Sequence, residues 1–267
     1  MILEKFEFNG AQYKKASKHQ KEWGNKIISD LKLKGDESIL DLGCGDGLLT
    51  KNLSDLVPKG KVIGVDASEG MISEAKKLEK ENLVFLLQDI NELNYNNKFD
   101  LIFSNATLHW IKDHKKLLEN CDKALKDKGY IRFNFAGDGN CQNFLVIVKE
   151  VMNEEQFQKY FANYEWPWYM PKIDEYKQLA KKSNFKEVDV WGENQDRYFS
   201  DEQEMIGWID QPAIVPFLKH IIEGKAQKEF RDIIVDRMIT RTKQKDGTCV
   251  ETFRRINIDA RKMLNIT

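Results

Sequence analysis

Three glycines, Gly43, Gly45 and Gly47, follow the apolar run SILDL and lead directly into the helical pattern LLTKNLSDL. A glycine-rich turn between a buried strand and a helix lets a ligand approach the backbone closely, because no side chain stands in its way. A phosphate, a carboxylate or a ribose of a small ligand requires such an approach. The loop therefore predicts a binding site for a small ligand.

A single carboxylate, Asp66, ends the next apolar run, KVIGVD, nineteen residues after Gly47. An acidic residue at this distance is placed to accept hydrogen bonds from the two hydroxyl groups of a ribose. The loop and the carboxylate together favour a cofactor that contains a ribose.

The spacing within the loop separates two classes of such cofactor. A dinucleotide fingerprint requires G-x-G-x-x-G, whose last glycine lets the helix pack beneath a pyrophosphate, but Leu48 occupies that position here. Asp41, two residues before Gly43, would repel a phosphate and suits the cationic amino group of an amino-acid tail. S-adenosylmethionine has that tail, a ribose and no phosphate. The residues therefore favour S-adenosylmethionine over a nicotinamide dinucleotide.

Alternating short apolar runs and helical patterns over residues 39–136 predict a doubly wound α/β unit, with helices on the faces of a parallel sheet. Helical patterns follow Asp46, Ser68 and Asp113, and Ser68 is a predicted N-cap. The predicted strands end at Gly43, Asp66, Gln88, Asn105 and Ala136.

The segments before and after this unit are predicted to cover the site. An apolar helical stripe precedes the sheet, and Gln20 is its one polar member beside Trp23, Ile27 and Leu31. We predict a single domain over residues 1–267. Its parts are an N-terminal lid helix region at 1–35, a cofactor-binding core at 36–136, substrate-side segments with a helical cap at 137–249, and the last strand at 250–258.

The motif DLGCGDG, together with the acidic end of the second strand, resembles the class I S-adenosylmethionine-dependent methyltransferases over about residues 10–136. The resemblance implies a Rossmann-like, mostly parallel seven-stranded sheet with a helical cap inserted before the last strand. It also implies S-adenosylmethionine as cofactor, S-adenosylhomocysteine as product and a set of cofactor-binding residues. These are Asp41, Gly43, Cys44, Gly45 and Gly47 for the methionine part, Asp66 for the ribose, Ala67, Met71, Gln88, Asp89 and Ile90 for the adenine, and Asn105 to close the site.

The segments SNATLHWIKD, YKKASKHQ and FRR look most similar to trans-aconitate and juvenile hormone acid methyltransferases, which esterify carboxylic acids. This resemblance implies that Gln20 and Trp110 contact the acceptor. The segment SNATLHW lacks the N-P-P-aromatic pattern of enzymes that methylate the exocyclic amines of bases. We therefore expect a small-molecule acceptor, most simply a carboxylic acid.

A carboxylate has a pKa of about 4 and is ionised at pH 7, so its methylation needs no general base. Arg254 and Arg255 are adjacent on a predicted strand and point to opposite faces, and we predict that Arg255 clamps the carboxylate. Trp23 is a further predicted acceptor contact. His109 is the alternative catalytic residue, as general base for a hydroxyl or amine acceptor, because the usual pKa of histidine is about 6.5.

Departures from the trans-aconitate pattern favour a monocarboxylate with an apolar part. The chain has KHQKEW where those enzymes tend to carry an arginine and proline pair, and Val215 precedes Pro216 where they tend to carry an arginine. An acceptor site with fewer arginines can neutralise fewer carboxylates of the acceptor. Tryptophans near the candidate lid segments supply apolar surface, namely Trp23, Trp110, Trp166, Trp168 and Trp208.

The net charge and the spacing of the cysteines argue against several other classes of protein. The 267 residues carry 42 Lys and Arg against 43 Asp and Glu, a net charge of -1 that argues against a general nucleic-acid coat protein. The four cysteines lie far apart, so we expect no metal site and a reducing, cytoplasmic location, without a signal peptide or a membrane span. We expect a monomer or homodimer. A non-catalytic binding module on the same fold and a dinucleotide oxidoreductase are the other classes left to test.

Overall fold

The computed structural model describes residues 18–262, and the side chains of residues 18–20 and of Pro212 lie outside that description. The described residues form two compact units. Unit 1 contains residues 18–138, 168–193 and 255–262, and unit 2 contains residues 139–167 and 194–254.

The helices of unit 1 are α1 (Lys18–Ser29), α2 (Leu48–Leu56), α3 (Glu69–Ala75), α4 (His114–Ala124) and α6 (Ile173–Lys181), and those of unit 2 are α5 (Gln142–Met152), α7 (Glu202–Trp208), α8 (Val215–Leu218) and α9 (Gly224–Thr242). Short helical turns lie at Lys76–Leu78, Ile90–Glu92, Leu108–Trp110, Gln158–Tyr160 and Ile209–Ala213. The strands are β1 (Ser38–Leu42), β2 (Lys61–Asp66), β3 (Leu83–Leu87), β4 (Phe99–Asn105), β5 (Leu125–Ala136), β6 (Lys186–Asn194), β7 (Arg197–Phe199), β8 (Cys249–Glu251) and β9 (Arg254–Arg261).

Seven strands form the main sheet in the order β3-β2-β1-β4-β5-β9-β6. The pairs from β3 through β5 are parallel, and β9 runs antiparallel to β5. The strand order reverses between β1 and β4, and ligands of open α/β sheets bind at the carboxyl ends of strands at such a switch point. The predicted mostly parallel, seven-stranded sheet is confirmed.

Apolar side chains of β1, β2 and β4 enter two buried clusters, one on each face of the sheet. Leu40 and Leu42 belong to the cluster that includes Leu117 and Leu118 of α4, whereas Ile39 belongs to the cluster that includes Ile27 and Ile28 of α1. Helices therefore cover both faces, as the alternating pattern of the sequence predicts.

Several element boundaries differ from the sequence-based predictions. Residues 168–193, which the sequence places in the segment 137–249, belong to unit 1. The prediction of one last strand over 250–258 is wrong, because β8 pairs with β7 in a separate two-stranded sheet and β9 begins at Arg254. Side chains interrupt the strand: Asp196 Oδ1 accepts from the Phe253 N–H and Asn140 Oδ1 from the Arg254 N–H.

Unit 2 has its own buried core, which is rich in aromatic side chains. Phe144 of α5 packs edge-to-face against Trp208, and Phe157 packs in the same way against Phe230 of α9. Trp208 also contacts Phe199 and is buried. This tryptophan is part of the core of unit 2.

A buried carboxylate closes the start of α5. Glu251 is fully buried, and its Oε1 accepts from the Asn143 N–H at 3.2 Å while its Oε2 accepts from the Phe144 N–H at 2.9 Å. The Thr252 N–H also donates to Oε1 at 2.7 Å. The side chain thus satisfies amide groups that a helix N-terminus leaves without intrahelical partners.

We expect Glu251→Ala to lower the free energy of unfolding by about 3 kcal/mol, because these buried N–H groups lose their acceptors. Thermal unfolding measures the effect. Glu150→Ala, an exposed substitution on the same helix, is the matched control and is expected to unfold like the wild type. Equal melting temperatures for the Glu251 and Glu150 variants would contradict the capping role.

No helix among residues 18–262 is both long and apolar enough to cross a membrane.

Candidate active site

The glycine loop after β1 is tied to the end of β2. The N–H groups of Gly43 and Cys44 both donate to the Val65 carbonyl, at 2.8 and 3.0 Å. Gly43 has a φ of 74°, and a Cβ there would lie 2.1 Å from Thr107 Cγ2. Thr107 Oγ1 in turn donates to the Gly43 carbonyl at 3.1 Å. Only glycine fits where the segment after β4 crosses so close to the loop.

The other two glycines serve different purposes. Gly47 has a φ of 81°, and a Cβ would lie 2.7 Å from Phe85 Cζ, so glycine here permits tight packing at the start of α2. Gly45 has a φ of 55°, and nothing lies within 4 Å of a Cβ built on it. The backbone of Gly45 therefore borders open space, as a loop that receives a ligand requires. Burial raises the pKa of the Cys44 thiol, and Asp66 raises it further, so the thiol is not activated.

The carboxylate of Asp66 lies directly beside this loop. Its Oδ2 accepts from the Gly45 N–H at 3.0 Å, and its Oδ1 accepts from the Ser68 N–H at 2.9 Å. The predicted N-cap is confirmed, because Ser68 Oγ accepts from the Met71 N–H at 3.3 Å at the start of α3. Ala67 is partly buried, and Met71 is buried. The structure thus brings the predicted ribose acid and the glycine loop together.

A second carboxylate, Asp41, is buried on β1, with 2% of its surface exposed. Thr50 Oγ1 of α2 donates to its Oδ2 at 2.7 Å. Burial raises the pKa of Asp41 to about 7, and the negative charge of Asp66 contributes to this rise. A buried carboxylate near neutrality favours a positively charged neighbour, because a cation stabilises its ionised form.

The predicted adenine segment follows β3. The Gln88 N–H donates to the Asp66 carbonyl at 2.9 Å, and Tyr95 Oη donates to Gln88 Oε1 at 2.9 Å. Asp89 Oδ1 accepts from the Asn91 N–H and from its side-chain amide, at 2.8 and 2.9 Å. Ile90 is buried. The sequence analysis did not predict that Tyr95 orients the Gln88 amide, because Tyr95 lies in a loop and belongs to no recognisable motif.

Helix α1 lies against the end of β4 and the glycine loop. Gly24 comes so close that a Cβ there would lie 3.1 Å from Asn105 Nδ2. Lys21 Nζ is 2.8 Å from Asp46 Oδ2, and Asp46 is buried. Gln20 lies in the first turn of α1, and its side chain is outside the described residues. The sequence reading missed the Lys21–Asp46 ion pair, because the partners are far apart in the chain.

The predicted acceptor residues His109 and Trp110 lie in the short turn after β4. The ring of Trp110 packs edge-to-face against Trp168 at 5.5 Å between centroids, and the Tyr169 N–H donates to the His109 carbonyl at 2.8 Å. The Nδ1 atom of His109 is buried and has no hydrogen-bond partner among the described residues. Burial lowers the pKa of His109 well below its usual range, and the charge of Arg255 lowers it further. His109 is therefore neutral at pH 7.

Arg255 lies at the start of β9 and is 4% exposed. Its Nε and Nη2 atoms both donate to Asn134 Oδ1 of β5, at 2.9 and 2.7 Å. The guanidinium carbon is 5.2 Å from the centroid of the Trp23 ring. The neighbouring Arg254 instead pairs with Asp196 in unit 2. The structure therefore buries one of the two adjacent arginines and leaves the other partly exposed, as their opposite directions on a strand predict.

The glycine loop, Asp66, Asn105 and Arg255 lie at strand ends along the carboxyl edge of the parallel strands. Residues 33–203 match a family model described as a methyltransferase domain. The chain belongs to this methyltransferase family. S-adenosylmethionine is the methyl donor of the family.

The relatives support this assignment at modest identity. The chain is 26% identical over 241 residues to trans-aconitate 2-methyltransferase of Escherichia coli. This alignment covers 89% of this chain and 91% of the relative. It is 29% identical over 163 residues to malonyl-[acyl-carrier protein] O-methyltransferase of Bacillus anthracis, covering 59% of this chain and 61% of the relative. The chain thus spans about half to three fifths of the length of its malonyl-[acyl-carrier protein] relatives.

A solved structure shares the fold. The phosphoethanolamine N-methyltransferase 2 of Haemonchus contortus in complex with S-adenosyl-L-methionine matches with a TM-score of 0.61 at 19% identity, over 96% of this chain and 57% of that chain. The Rossmann-like methyltransferase fold is therefore confirmed for this family member.

The described residues fit S-adenosylmethionine better than a dinucleotide. The backbone at Gly45 borders open space beside the carboxylate of Asp66, which would accept hydrogen bonds from ribose hydroxyls. The buried Asp41 would favour the cationic amino group and would repel a pyrophosphate. No group of His, Cys, Asp or Glu within residues 18–262 has an arrangement that would hold a metal ion.

We expect Asp66→Ala to weaken the binding of S-adenosylmethionine by about 1.5–3 kcal/mol, because charged hydrogen bonds to the ligand and to the Gly45 N–H are lost. Titration calorimetry measures the dissociation constant. Asp36→Ala, which removes an exposed carboxylate, is expected to bind like the wild type. An unchanged dissociation constant in the Asp66 variant would remove this residue from the site.

Proposed function

We propose that this protein transfers the methyl group of S-adenosylmethionine to a carboxylate oxygen of a small-molecule acid and so forms a methyl ester. The observation that carries the proposal is the buried guanidinium of Arg255, which Asn134 holds through two hydrogen bonds and which lies against the ring of Trp23. Both relatives support it, because trans-aconitate and a malonyl group carry free carboxylates.

Arg255 suits a carboxylate in charge and in geometry. A guanidinium donates hydrogen bonds in a planar fork that matches a carboxylate group, and such charge-assisted bonds are about twice as strong as neutral ones. Because Nε and Nη2 donate to Asn134, the other edge of the guanidinium faces away from that amide. In this arrangement Arg255 would hold one oxygen of the acceptor and leave the other to react.

His109 supports the same acceptor. A neutral imidazole has one nitrogen that donates and one that accepts, so the buried Nδ1 can form a hydrogen bond with a bound carboxylate. Its pKa, far below 6.5, makes it a weak proton acceptor, which disfavours the alternative role of general base for a hydroxyl or an amine. A carboxylate acceptor needs no such base, since it is already ionised at pH 7.

The mechanism then depends on positioning. Bound S-adenosylmethionine supplies an electrophilic methyl group, which passes to a carboxylate oxygen and leaves S-adenosylhomocysteine. Asp66 and Asp41 would hold the ribose and the amino group at the glycine loop. Arg255 and His109 would orient the acceptor, and the rings of Trp23, Trp110 and Trp168 would exclude water. Such orientation contributes several kcal/mol to the reduction of a reaction barrier.

The acceptor that we propose is a monocarboxylate with an apolar part. Arg255 is the cation that the described acceptor residues offer to it. Trp23 packs beside Arg255, and Trp110 and Trp168 pack against each other. A tricarboxylate would require further cations, and the chain carries Val215 where trans-aconitate enzymes tend to carry an arginine. Gln20 remains a proposed acceptor contact.

The test is incubation of the protein with methyl-labelled S-adenosylmethionine and a pool of small acids, followed by mild base. Label released as volatile methanol identifies a methyl ester and supports the proposal. Base-stable label would overturn it in favour of a hydroxyl, amine or carbon acceptor. Binding of S-adenosylmethionine without any turnover across the pool would instead support a non-catalytic binding module. Turnover of trans-aconitate as efficient as that of any monoacid would contradict the monocarboxylate preference.

A further inference from the structure

The turn Leu108–Trp110, which carries the predicted acceptor residues, is held from outside by the imidazole of His114. This histidine is the first residue of α4 and is 2% exposed. Its Nε2 atom lies 2.9 Å from the Leu108 carbonyl oxygen, and its Nδ1 atom lies 3.0 Å from Tyr176 Oη. All of these residues belong to unit 1. The imidazole therefore connects the turn to α6, which contains Tyr176.

The two hydrogen-bond partners determine where the proton of this imidazole lies. A carbonyl oxygen only accepts, so Nε2 must carry the proton that is donated to Leu108. Nδ1 then accepts, and the hydroxyl of Tyr176 donates to it. Burial lowers the pKa of His114 to about 4 and raises the pKa of Tyr176 well above its usual range, so both groups are neutral at pH 7. His114 is therefore assigned the tautomer that carries its proton on Nε2.

Two successive carbonyls of the turn accept hydrogen bonds from outside it. The Leu108 carbonyl accepts from His114, and the His109 carbonyl accepts from the Tyr169 N–H at 2.8 Å. The rings of His114 and Tyr169 are themselves in contact, with 4.7 Å between their centroids. The Leu108 carbonyl belongs to the planar peptide group that leads into His109. Its orientation therefore determines the direction in which the His109 side chain leaves the backbone.

The packing around His114 fixes the orientation of its ring. The centroid of the imidazole lies 5.2 Å from that of Phe135 and 5.3 Å from that of Tyr176, and these two rings pack edge-to-face on each other. Asp113 Oδ1 accepts from the Lys116 N–H at 2.9 Å and so caps the helix turn that carries His114. A side chain that is fixed in this way transmits its own position to the group that it binds.

We propose that His114 is a positioning residue for methyl transfer, which holds the turn that presents His109 and Trp110 to the acceptor. This inference rests on the proposed role of that turn at the acceptor. His114 acts through the Leu108 carbonyl and not through the acceptor itself. Tyr176 contributes by keeping Nδ1 as the acceptor, so that the proton stays on Nε2.

Two amide side chains each reproduce one half of the imidazole. The amide nitrogen of glutamine can take the place of Nε2 and donate to Leu108, whereas the amide oxygen of asparagine can take the place of Nδ1 and accept from Tyr176. Both variants lack the aromatic ring. A role in packing alone is therefore lost in both His114→Gln and His114→Asn, but the bond that holds the turn is lost only in His114→Asn.

The first measurement is the 15N NMR spectrum of the histidine rings and tryptophan indoles, in protein saturated with S-adenosylhomocysteine. The chain has four histidines and six tryptophans, so single substitutions assign their signals. We expect the neutral Nε2–H tautomer for His114 in the wild type. We expect the His109 and Trp110 signals to shift in His114→Asn and to stay close to the wild type in His114→Gln. The indole signal of Trp208, in the core of unit 2, is expected to stay unchanged in both variants.

The second measurement is the rate of methyl transfer from labelled S-adenosylmethionine to the pool of small acids. Misplaced reacting groups lower a rate without any change in the chemistry, so His114→Asn is expected to be slower than the wild type by about 10- to 100-fold. His114→Gln is expected to restore the rate to within about threefold of the wild type. The dissociation constant of S-adenosylhomocysteine is expected to stay within about twofold in both variants, because the bond to Leu108 is not part of the cofactor side.

Tyr176→Phe removes one hydroxyl and decides the question if the His114 variants do not fold. Without a donor at Nδ1 the proton of His114 is no longer confined to Nε2, so the spectrum is expected to lose the pattern of a single tautomer. Methyl transfer is expected to slow by about fivefold, as the loss of one hydrogen bond implies. Tyr198→Phe makes the same change at a side chain of β7 that is 66% exposed, and it is expected to match the wild type.

The outcomes separate this inference from the proposed function. Equal shifts and equal losses of rate in His114→Asn and His114→Gln would overturn the positioning role. A proton on Nδ1 in the wild type, or a Tyr176→Phe variant that behaves like Tyr198→Phe, would overturn it as well. A displaced turn and slower transfer in His114→Asn alone support it, even if the label proves stable to base and the ester proposal fails. If the wild type methylates no member of the pool, the spectra decide by themselves whether His114 holds the turn.

Discussion

Arg255→Gln is expected to lower kcat/KM for the acid acceptor by about 100- to 1000-fold, which corresponds to about 3–4 kcal/mol of lost stabilisation. Glutamine still donates to Asn134 Oδ1 but carries no charge. A carboxylate moved from water into this buried site would then meet a neutral amide where the wild type presents a guanidinium. We expect most of the loss to appear in KM.

The control for this prediction is the adjacent residue. Arg254→Gln makes the same chemical change at a partly exposed arginine that pairs with Asp196 in unit 2, and its kcat/KM is expected to stay within about threefold of the wild type. Both variants are also titrated with S-adenosylmethionine, and the dissociation constants are expected to match the wild type. Equal losses of kcat/KM in the two variants would exclude a specific role for Arg255. Loss of cofactor affinity in the Arg255 variant would instead place Arg255 on the cofactor side of the site.

Asp41→Asn is expected to weaken cofactor binding while it stabilises the folded protein. At pH 8 the ionised carboxylate of Asp41 would attract the amino group of the cofactor, and its removal is expected to raise the dissociation constant by about 10- to 100-fold. The same carboxylate is costly in the protein alone, because burial raises its pKa to about 7. Asparagine avoids this cost and still accepts the hydrogen bond from Thr50.

The sign of the pH dependence follows from the raised pKa of Asp41. Between pH 4 and 7 the folded protein holds a proton on Asp41 that the unfolded chain has released, so the stability contribution of this group falls as pH rises and is constant above pH 7. We therefore expect Asp41→Asn to be more stable than the wild type by about 4 kcal/mol at pH 8 and by little at pH 4.

Cofactor affinity depends on pH in the opposite sense. Because a cation prefers the ionised carboxylate, wild-type affinity for S-adenosylmethionine is expected to rise with pH up to about 7, and Asp41→Asn is expected to lose this rise. Titration calorimetry and thermal unfolding at pH 6, 7 and 8 measure both effects. Asp55→Asn, a change at an exposed carboxylate, is the control. A destabilised Asp41 variant at pH 8, or an unchanged affinity, would contradict this account.

Helix α1 connects the two halves of the proposed site. Lys21 pairs with Asp46 of the glycine loop, Gly24 lies against Asn105, and Trp23 packs on Arg255. These residues lie within about one turn of the helix. The sequence reading found the apolar stripe of this helix but not its polar contacts, since a partner that is distant in the chain leaves no periodic signal.

Local sequence patterns were sufficient for the centre of the fold and for placing the glycine loop beside Asp66. The strand, the glycine loop and α2 follow one another in the chain, so residue type and spacing alone predict that Gly45 borders a ligand and that Asp66 ends the next strand. The N-cap at Ser68 is equally local, because its partner is three residues away. The resemblance to methyltransferases also predicted the seven-stranded sheet.

Element ends were less predictable. In the structure α4 ends at Ala124 and β5 begins at the next residue, Leu125, a boundary that the apolar pattern of the sequence does not mark. Pairing of Leu125 with Phe99 of β4 decides this boundary, and no property of the segment itself reports that partner. The break before β9 has the same cause, since Asn140 and Asp196 take the backbone N–H groups there.

The sequence by itself determined the fold class, the glycine loop and the acid that accompanies it, because these depend on residues that are neighbours in the chain. Only the tertiary structure decided which arginine is buried and that Asn134 holds it. In the sequence these are ordinary polar residues at alternate strand positions. Their joint role arises from the register of β5 and β9, and register is set by the packing of the whole sheet.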